Sequence, residues 1–394
     1  MDYQHLLAGR AEGMKANAIR EILKVVSQPG MISLAGGIPS PDSFPMALFA
    51  EITAEVLDKY GSSALQYDLT EGFHPLREQV SLLLESRGIT ASADEVNISS
   101  GSQGILDAVA KLLVSKGDKI ALEAPTYLGA ISAFNPYEPE YVRMDMDDEG
   151  LVPESLEQTL ETHDIKFIYL VPTFQNPTGR SLSLARRHRI AQILIDHNAL
   201  LLEDDPYSAL RYRGEPLPPI KTMAPDHVIY LSTLSKVFAP GLRIGFYAAP
   251  KFIREWLVLV KQGVDLHTST FNQAMAAVYL EGGHLDRHLP NIIELYRPRQ
   301  AAMLKALDAS LPKGFKTSPS DGGMFLWVTG PKGFDMMKLY HTAIENKVAF
   351  VPGQFFFTDP EEGNETMRLN YTMADEATIE KAVDKLTLSI KQVH

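Results

Sequence analysis

Four short segments hold the residues that could do chemistry. Ser232-Thr233-Leu234-Ser235-Lys236 places one amine among hydroxyls, with Arg243 seven residues further on. Phe238, Pro240, Gly241 and Leu242 follow it, unusual company for a surface lysine. Withdrawn from water, a lysine loses its proton more easily and can act as nucleophile or base. Glu203-Asp204-Asp205-Pro206-Tyr207 ends an apolar run. Carboxylates at a buried strand end are costly unless something cationic meets one of them. Ser100-Gly101-Ser102-Gln103 opens a helical pattern. Free backbone N–H groups and hydroxyls there suit a phosphate or a plain N-cap by Ser102. Asn176-Pro177-Thr178-Gly179 is a turn by composition. Taken singly, each segment also has a purely structural reading as a solvated charge, a salt bridge, a cap or a turn.

The elements that must position these residues follow from hydrophobic patterning. Short apolar runs at 96–98, 119–123, 166–171, 199–203, 228–231 and 243–248 alternate with helical patterns such as 105–113, stopped at Gly117, and 182–197. This alternation implies a largely parallel, buried sheet with helices on both faces, an α/β architecture. Ligands of such sheets bind at the carboxyl ends of the strands, where the four segments lie. Residues 14–26 read as an amphipathic helix. After about residue 290 come a helix over 292–311, a strand over 324–328, a helix over 335–346, strands over 348–351 and 367–371, and a helix over 376–390. The expected division is a large α/β domain, 48–290, and a smaller α+β domain built from 1–47 plus 291–394.

Composition narrows the function. The 394 residues are 45% hydrophobic and 22% charged, with net charge −12. That balance excludes a sequence-independent grip on nucleic acid or anionic lipid, which needs a basic face. With no cysteine, disulfides, thiolate metal sites and thiol nucleophiles are excluded together. No signal-peptide pattern opens the chain and no apolar stretch reaches ~18 residues, so a cytoplasmic protein is expected. Gly101-Ser-Gln-Gly104 has the wrong spacing for a dinucleotide loop. Asp145-x-Asp147-x-Glu149-Gly150 begins like a calcium loop but has Leu156 at the twelfth position, so it reads as a loop before a helix. His284 and His288 lack a third ligand and read as surface histidines. No metal site is expected.

In order along the chain, AIREILK, SLAGGIPSPDSFP, ALQYDLTEG, SSGSQGILD, LEAPTYLGA, PTFQNPTGRSL, LLEDDPY, STLSKVFAPGLRIGF, DGGMFLW and MRLNY resemble the fold-type I, pyridoxal 5′-phosphate (PLP) dependent aminotransferases of class I/II. Within them the chain is similar to the 2-aminoadipate and kynurenine aminotransferase branch. The resemblance implies that Lys236 forms a Schiff base with PLP and, once freed, moves a proton from the substrate Cα. It implies that Asp204 keeps the pyridine nitrogen protonated, so that the ring is an electron sink, with Asp205 a structural residue. It implies that Tyr207 and Asn176 bond the ring's 3′ oxygen and that Tyr127 stacks on the ring. Ser102, Gln103, Thr233, Ser235 and Arg243 would hold the phosphate, joined by Tyr67 from the second subunit of a homodimer. Arg368 would clamp the substrate α-carboxylate with its planar fork, and Gly37 would leave room for it. Arg20 would meet a distal carboxylate and swing aside for aromatic side chains.

The reading that follows is a homodimeric PLP aminotransferase of broad specificity, moving an amino group from 2-aminoadipate, aromatic or other amino acids to 2-oxoglutarate. Its rivals are a PLP-dependent lyase or decarboxylase and a non-catalytic effector domain. The two arginines favour transamination. The start of the chain at the family's first helix and the net acidity speak against a DNA-linked effector domain.

Overall fold

The computed structural model describes residues 3–14, 29–359 and 361–393. The amphipathic helix expected over 14–26 lies, apart from Met14, outside the described residues.

Every apolar run of the central segment is a strand of one seven-stranded sheet. The strands are β1 (Val96–Ser100), β2 (Lys119–Glu123), β3 (Glu140–Met144), β4 (Ile165–Leu170), β5 (Leu201–Asp205), β6 (Val228–Thr233) and β7 (Ile244–Ala248). Their order is β1-β7-β6-β5-β4-β2-β3. Pairs from β6 across to β3 are parallel, and β7 runs antiparallel to both its neighbours. Strands β5, β6 and β7 are buried along their whole length; β6 and β7 therefore read as near-continuous apolar runs, while β5 ends in three acids. β3, with the sequence EYVRM, is an edge strand left mostly half-exposed or exposed. Its charged residues hid it from pattern reading. The acidic loop before residue 153 is a small hairpin, Met146–Asp147 against Gly150–Leu151, ahead of a helix over Pro153–Thr162.

Four helices matter for the site. α1 (Gly101–Leu113) and α2 (Leu128–Phe134) start just beyond β1 and β2. α3 (Leu184–Asp196) buries Ile190, Ile193 and Leu194 against a second apolar cluster. It also buries Arg187, whose guanidinium donates to Leu182 O, Pro172 O, Thr173 Oγ1 and Pro218 O at 2.7–3.1 Å. One side chain therefore ties down both ends of the 172–182 loop.

α4 (His284–Ser310) begins eight residues before the expected start. Pro290 and Pro298 read as breakers, yet the helix continues through them with Leu285, Ile292, Tyr296 and Met303 buried on one side. Beyond it lies a four-stranded antiparallel sheet of β8 (Lys316–Thr317), β9 (Phe325–Thr329), β10 (Val351–Pro352) and β11 (Thr366–Asn370), in the order β8-β9-β11-β10. The strand expected over 348–351 is split. Val348–Ala349 pairs with Ile32–Ser33, and only the following residues join this sheet. Among the described residues no helix is long and apolar enough to cross a membrane, and no group of side chains could hold a metal ion. His288 bonds Ser43 O at 2.8 Å, and His284 sits beside Arg287.

Candidate active site

The carboxyl ends of β1, β2, β4, β5 and β6 share one edge of the large sheet. Because β7 runs the other way, its amino end reaches the same edge, and Arg243 precedes it there. These ends and β11 surround a cavity of about 290 Å³. Twelve of the residues singled out in the sequence line it: Gly37, Ser102, Gln103, Tyr127, Asn176, Asp204, Tyr207, Thr233, Ser235, Lys236, Arg243 and Arg368. Tyr67 does not. It is 78% exposed, its ring edge-on to His267 at 5.7 Å. Arg20 lies outside the described residues.

Three successive acids on β5 show how the pleat sorts side chains. Glu203 and Asp205 face away from the cavity, and both are satisfied. Glu203 accepts the N–H groups of Ile220 and Lys221, each at 2.8 Å. Asp205 accepts the hydroxyls of Tyr230 and Ser208, each at 2.7 Å, with Arg87 at 3.8 Å. Asp204 faces the cavity, 2% exposed. The Tyr169 hydroxyl donates to its Oδ2 at 2.8 Å, while its Oδ1 is buried with no partner. Burial pushes the carboxyl up to about 7, against the Tyr169 bond and the charge of Lys236.

Lys236 follows β6, its Nζ 3.4 Å from Gly37 O. Removal from water lowers its amine to about 8, and Arg243 and Arg368 add to this while Asp204 opposes it. Such an amine carries a substantial neutral fraction near physiological pH, which a nucleophile or base requires.

Arg368 is 1% exposed on β11. It donates to Asn176 Oδ1 at 2.8 Å and to Ala35 O at 3.0 Å, between the rings of Phe325 and Phe356 at 4.3 and 4.9 Å. Its Nε is buried without an acceptor. Burial lowers it to about 10, so it remains a cation at neutral pH. A Cβ on Gly37 would sit in ordinary contact with the guanidinium, 3.6 Å from it. Asn176 in turn donates to the Tyr207 hydroxyl at 3.4 Å.

At the opposite end, Ser102 Oγ is buried and unpartnered. It does not cap α1, whose N-cap is Ser100, so the capping alternative fails. Thr233 Oγ1 lies 2.9 Å from Ser235 Oγ and donates to Ile244 O. Gln103 spends its amide on Gly129 O at 2.8 Å. Arg243 has φ 57°, a left-handed conformation uncommon outside glycine. Its guanidinium lies over Gly101, where any Cβ would collide with it.

Pattern reading missed Ile38, Gly129, Val171 and Pro206, which also line the cavity, and Tyr169, which supports Asp204 from β4. Tyr169 was findable in principle. A tyrosine inside a buried strand needs a partner for its hydroxyl.

The donor set fits PLP. Among the described residues, three of the eight buried side-chain atoms without a partner, Ser102 Oγ, Asp204 Oδ1 and Arg368 Nε, belong to residues of this one cavity. Buried polar atoms left this way call for a ligand or water. Ser102, Ser235 and Arg243 suit a phosphate, Asp204 Oδ1 suits a protonated ring nitrogen, and the Lys236 amine suits an aldehyde.

The profile of the class I and II aminotransferases matches residues 29–386. The chain is 45% identical to aromatic-amino-acid aminotransferase 1 of Thermococcus litoralis, over 100% of this chain and 95% of that protein. The structure of a multiple substrate aminotransferase from Thermococcus profundus superposes with TM-score 0.95 at 42% identity, covering 100% and 99% of the two chains. That of the α-aminoadipate aminotransferase from Thermus thermophilus, complexed with N-(5′-phosphopyridoxyl)-L-leucine, superposes with TM-score 0.92 at 37% identity, covering 100% and 99%. Similarity of this extent, centred on a cavity that suits the same cofactor, makes the chain a PLP-dependent enzyme of the class I and II aminotransferases.

Proposed function

We propose that the chain takes the amino group from a broad set of amino acids, 2-aminoadipate and aromatic ones among them, and passes it to 2-oxoglutarate in two half-reactions at one cavity. The observation that carries this is the buried Arg368 guanidinium facing the same space as the Lys236 amine. A cation there holds a carboxylate with its Cα near the amine.

Bound PLP supplies an aldehyde that takes up amino groups and a ring that accepts the electron pair left at Cα. Lys236 Nζ would hold the aldehyde end of the cofactor, and its amine would move the proton at the substrate Cα. Asp204 Oδ1 holds a proton on the ring nitrogen, and Tyr169 holds Asp204 in place. Asn176 and Tyr207 would donate to the ring's 3′ oxygen, and Tyr127 would pack against the ring. Ser102, Gln103, Thr233, Ser235 and Arg243 bind the phosphate. Arg368 orients the α-carboxylate, with Gly37 leaving it space, and Arg20 meets the distal carboxylate of 2-aminoadipate or 2-oxoglutarate. The separate seven- and four-stranded sheets support a large and a smaller domain, 48–290 and 1–47 plus 291–394, with α4 (His284–Ser310) running across the 290/291 boundary. The working form is a homodimer in which Tyr67 of the partner subunit reaches the phosphate, a role its exposed position here supports.

The test offers one amino acid at a time to PLP-loaded protein without an oxo acid. Conversion of the cofactor's visible band by 2-aminoadipate and phenylalanine, reversed by 2-oxoglutarate, is expected. Arg20→Ala is expected to slow 2-aminoadipate and 2-oxoglutarate more than phenylalanine. Equal losses for all three remove the distal-carboxylate role.

A further inference from the structure

Glu123 ends β2, 1% exposed, and among the described residues no cationic group acts on it. Its Oε2 accepts the backbone N–H of Val171 at 3.1 Å and the side-chain amide of Gln175 at 3.3 Å. Gln175 is equally buried and fully used. Its Nε2 also donates to Pro125 O at 2.8 Å, and its Oε1 accepts from the N–H and hydroxyl of Thr178 at 2.9 and 2.6 Å.

The position of this pair is informative. β2 and β4 are adjacent, and their paired register ends at Leu122 and Tyr169. Beyond that point the backbone ladder no longer fixes the gap between the two loops. The loop after β2 carries Tyr127 and the loop after β4 carries Asn176, both on the cavity. The Glu123–Gln175 link bridges the gap where the ladder stops.

A carboxylate buried without a cation is expensive, and burial pushes Glu123 up to about 8. Both bonds are accepted by the one oxygen Oε2, and a glutamine carbonyl could accept the same two.

We infer that Glu123 is a positioning residue for the cofactor, an acceptor that through Gln175 sets the spacing of the Tyr127 and Asn176 loops around the PLP ring. The inference rests on PLP lying between those two residues. Wild type, Glu123→Gln and Glu123→Ala are compared as PLP-loaded protein by visible circular dichroism and by the pH midpoint of the visible absorbance. Affinity is measured by dialysis of the apoproteins against PLP. Glu123→Gln is expected to match wild type. Glu123→Ala is expected to lose most of the visible dichroism, shift the midpoint and bind PLP about ten- to a hundredfold more weakly.

Two results overturn the inference: Glu123→Ala with unchanged dichroism, midpoint and affinity, or Glu123→Gln as impaired as Glu123→Ala, which would make the charge the requirement. Should Glu123→Ala not fold, Gln175→Met breaks the same link, and the Glu123→Gln comparison still decides. A wild-type protein with no visible dichroism from PLP refutes the cavity placement instead.

Discussion

Burial acts on Asp204 and Lys236 in opposite senses, and both effects can be measured on the apoprotein. Asp204 is raised to about 7, against ~3.9 unfolded. Between those values the native state binds the extra proton, so stability falls as pH rises through the window and stays reduced above it. Asp204→Asn is therefore expected to melt several degrees higher than wild type above pH 7, with the gain vanishing below about pH 4. Its affinity for PLP should fall at the same time. A variant no more stable than wild type at pH 8 contradicts this. Lys236 is lowered to about 8 from ~10.4 unfolded. Here the unfolded chain binds the extra proton, so the contribution of Lys236 to stability grows as pH rises through that interval. PLP capture by the apoprotein should accelerate toward pH 8 as the amine becomes neutral. A flat rate between pH 6 and 9 would show the amine already neutral throughout. Asp204 and Lys236 stood out because they lie at or after the ends of apolar runs, and Arg243 because it opens one. Tyr169 and the Glu123–Gln175 pair were not, since cross-strand partners depend on register, which periodicity does not encode.

At the scale of elements, buried strands announced themselves and exposed or interrupted ones did not. β5 and β6 are apolar throughout their buried length, apart from acids and hydroxyls at the functional end. β3 has one buried residue at its end and a charged sequence, and α4 contains two prolines that its packing overrides. The 172–182 loop shows what holds an irregular segment in place. Arg187 binds carbonyls from both of its ends and Pro218 O besides. Arg187→Met fills much of the volume but takes the guanidinium from the Leu182 and Pro218 carbonyls, while Pro172 O keeps the N–H of Leu182 at 2.8 Å. The expected loss is about 3 kcal/mol or more in denaturant unfolding, with weaker PLP binding because Asn176 sits on that loop. A loss under ~1 kcal/mol would mean that the loop holds its shape unaided.

For the whole molecule, the position of Tyr67 outside its own cavity makes a sharp prediction. Tyr67→Ala and Lys236→Ala should each be impaired alone. Refolded together they should regain activity, because a mixed dimer has one site with its own Lys236 and an intact Tyr67 from across the interface. No recovery would place Tyr67 in its own subunit's site or nowhere near it. The location of Arg368 has a consequence of another kind. Residues proposed to hold the cofactor all precede β8, whereas Arg368, the proposed carboxylate clamp, sits on β11, the last strand made. Synthesis runs from the amino end and domains fold as units, so a growing chain has the parts to capture PLP well before it can grip a substrate.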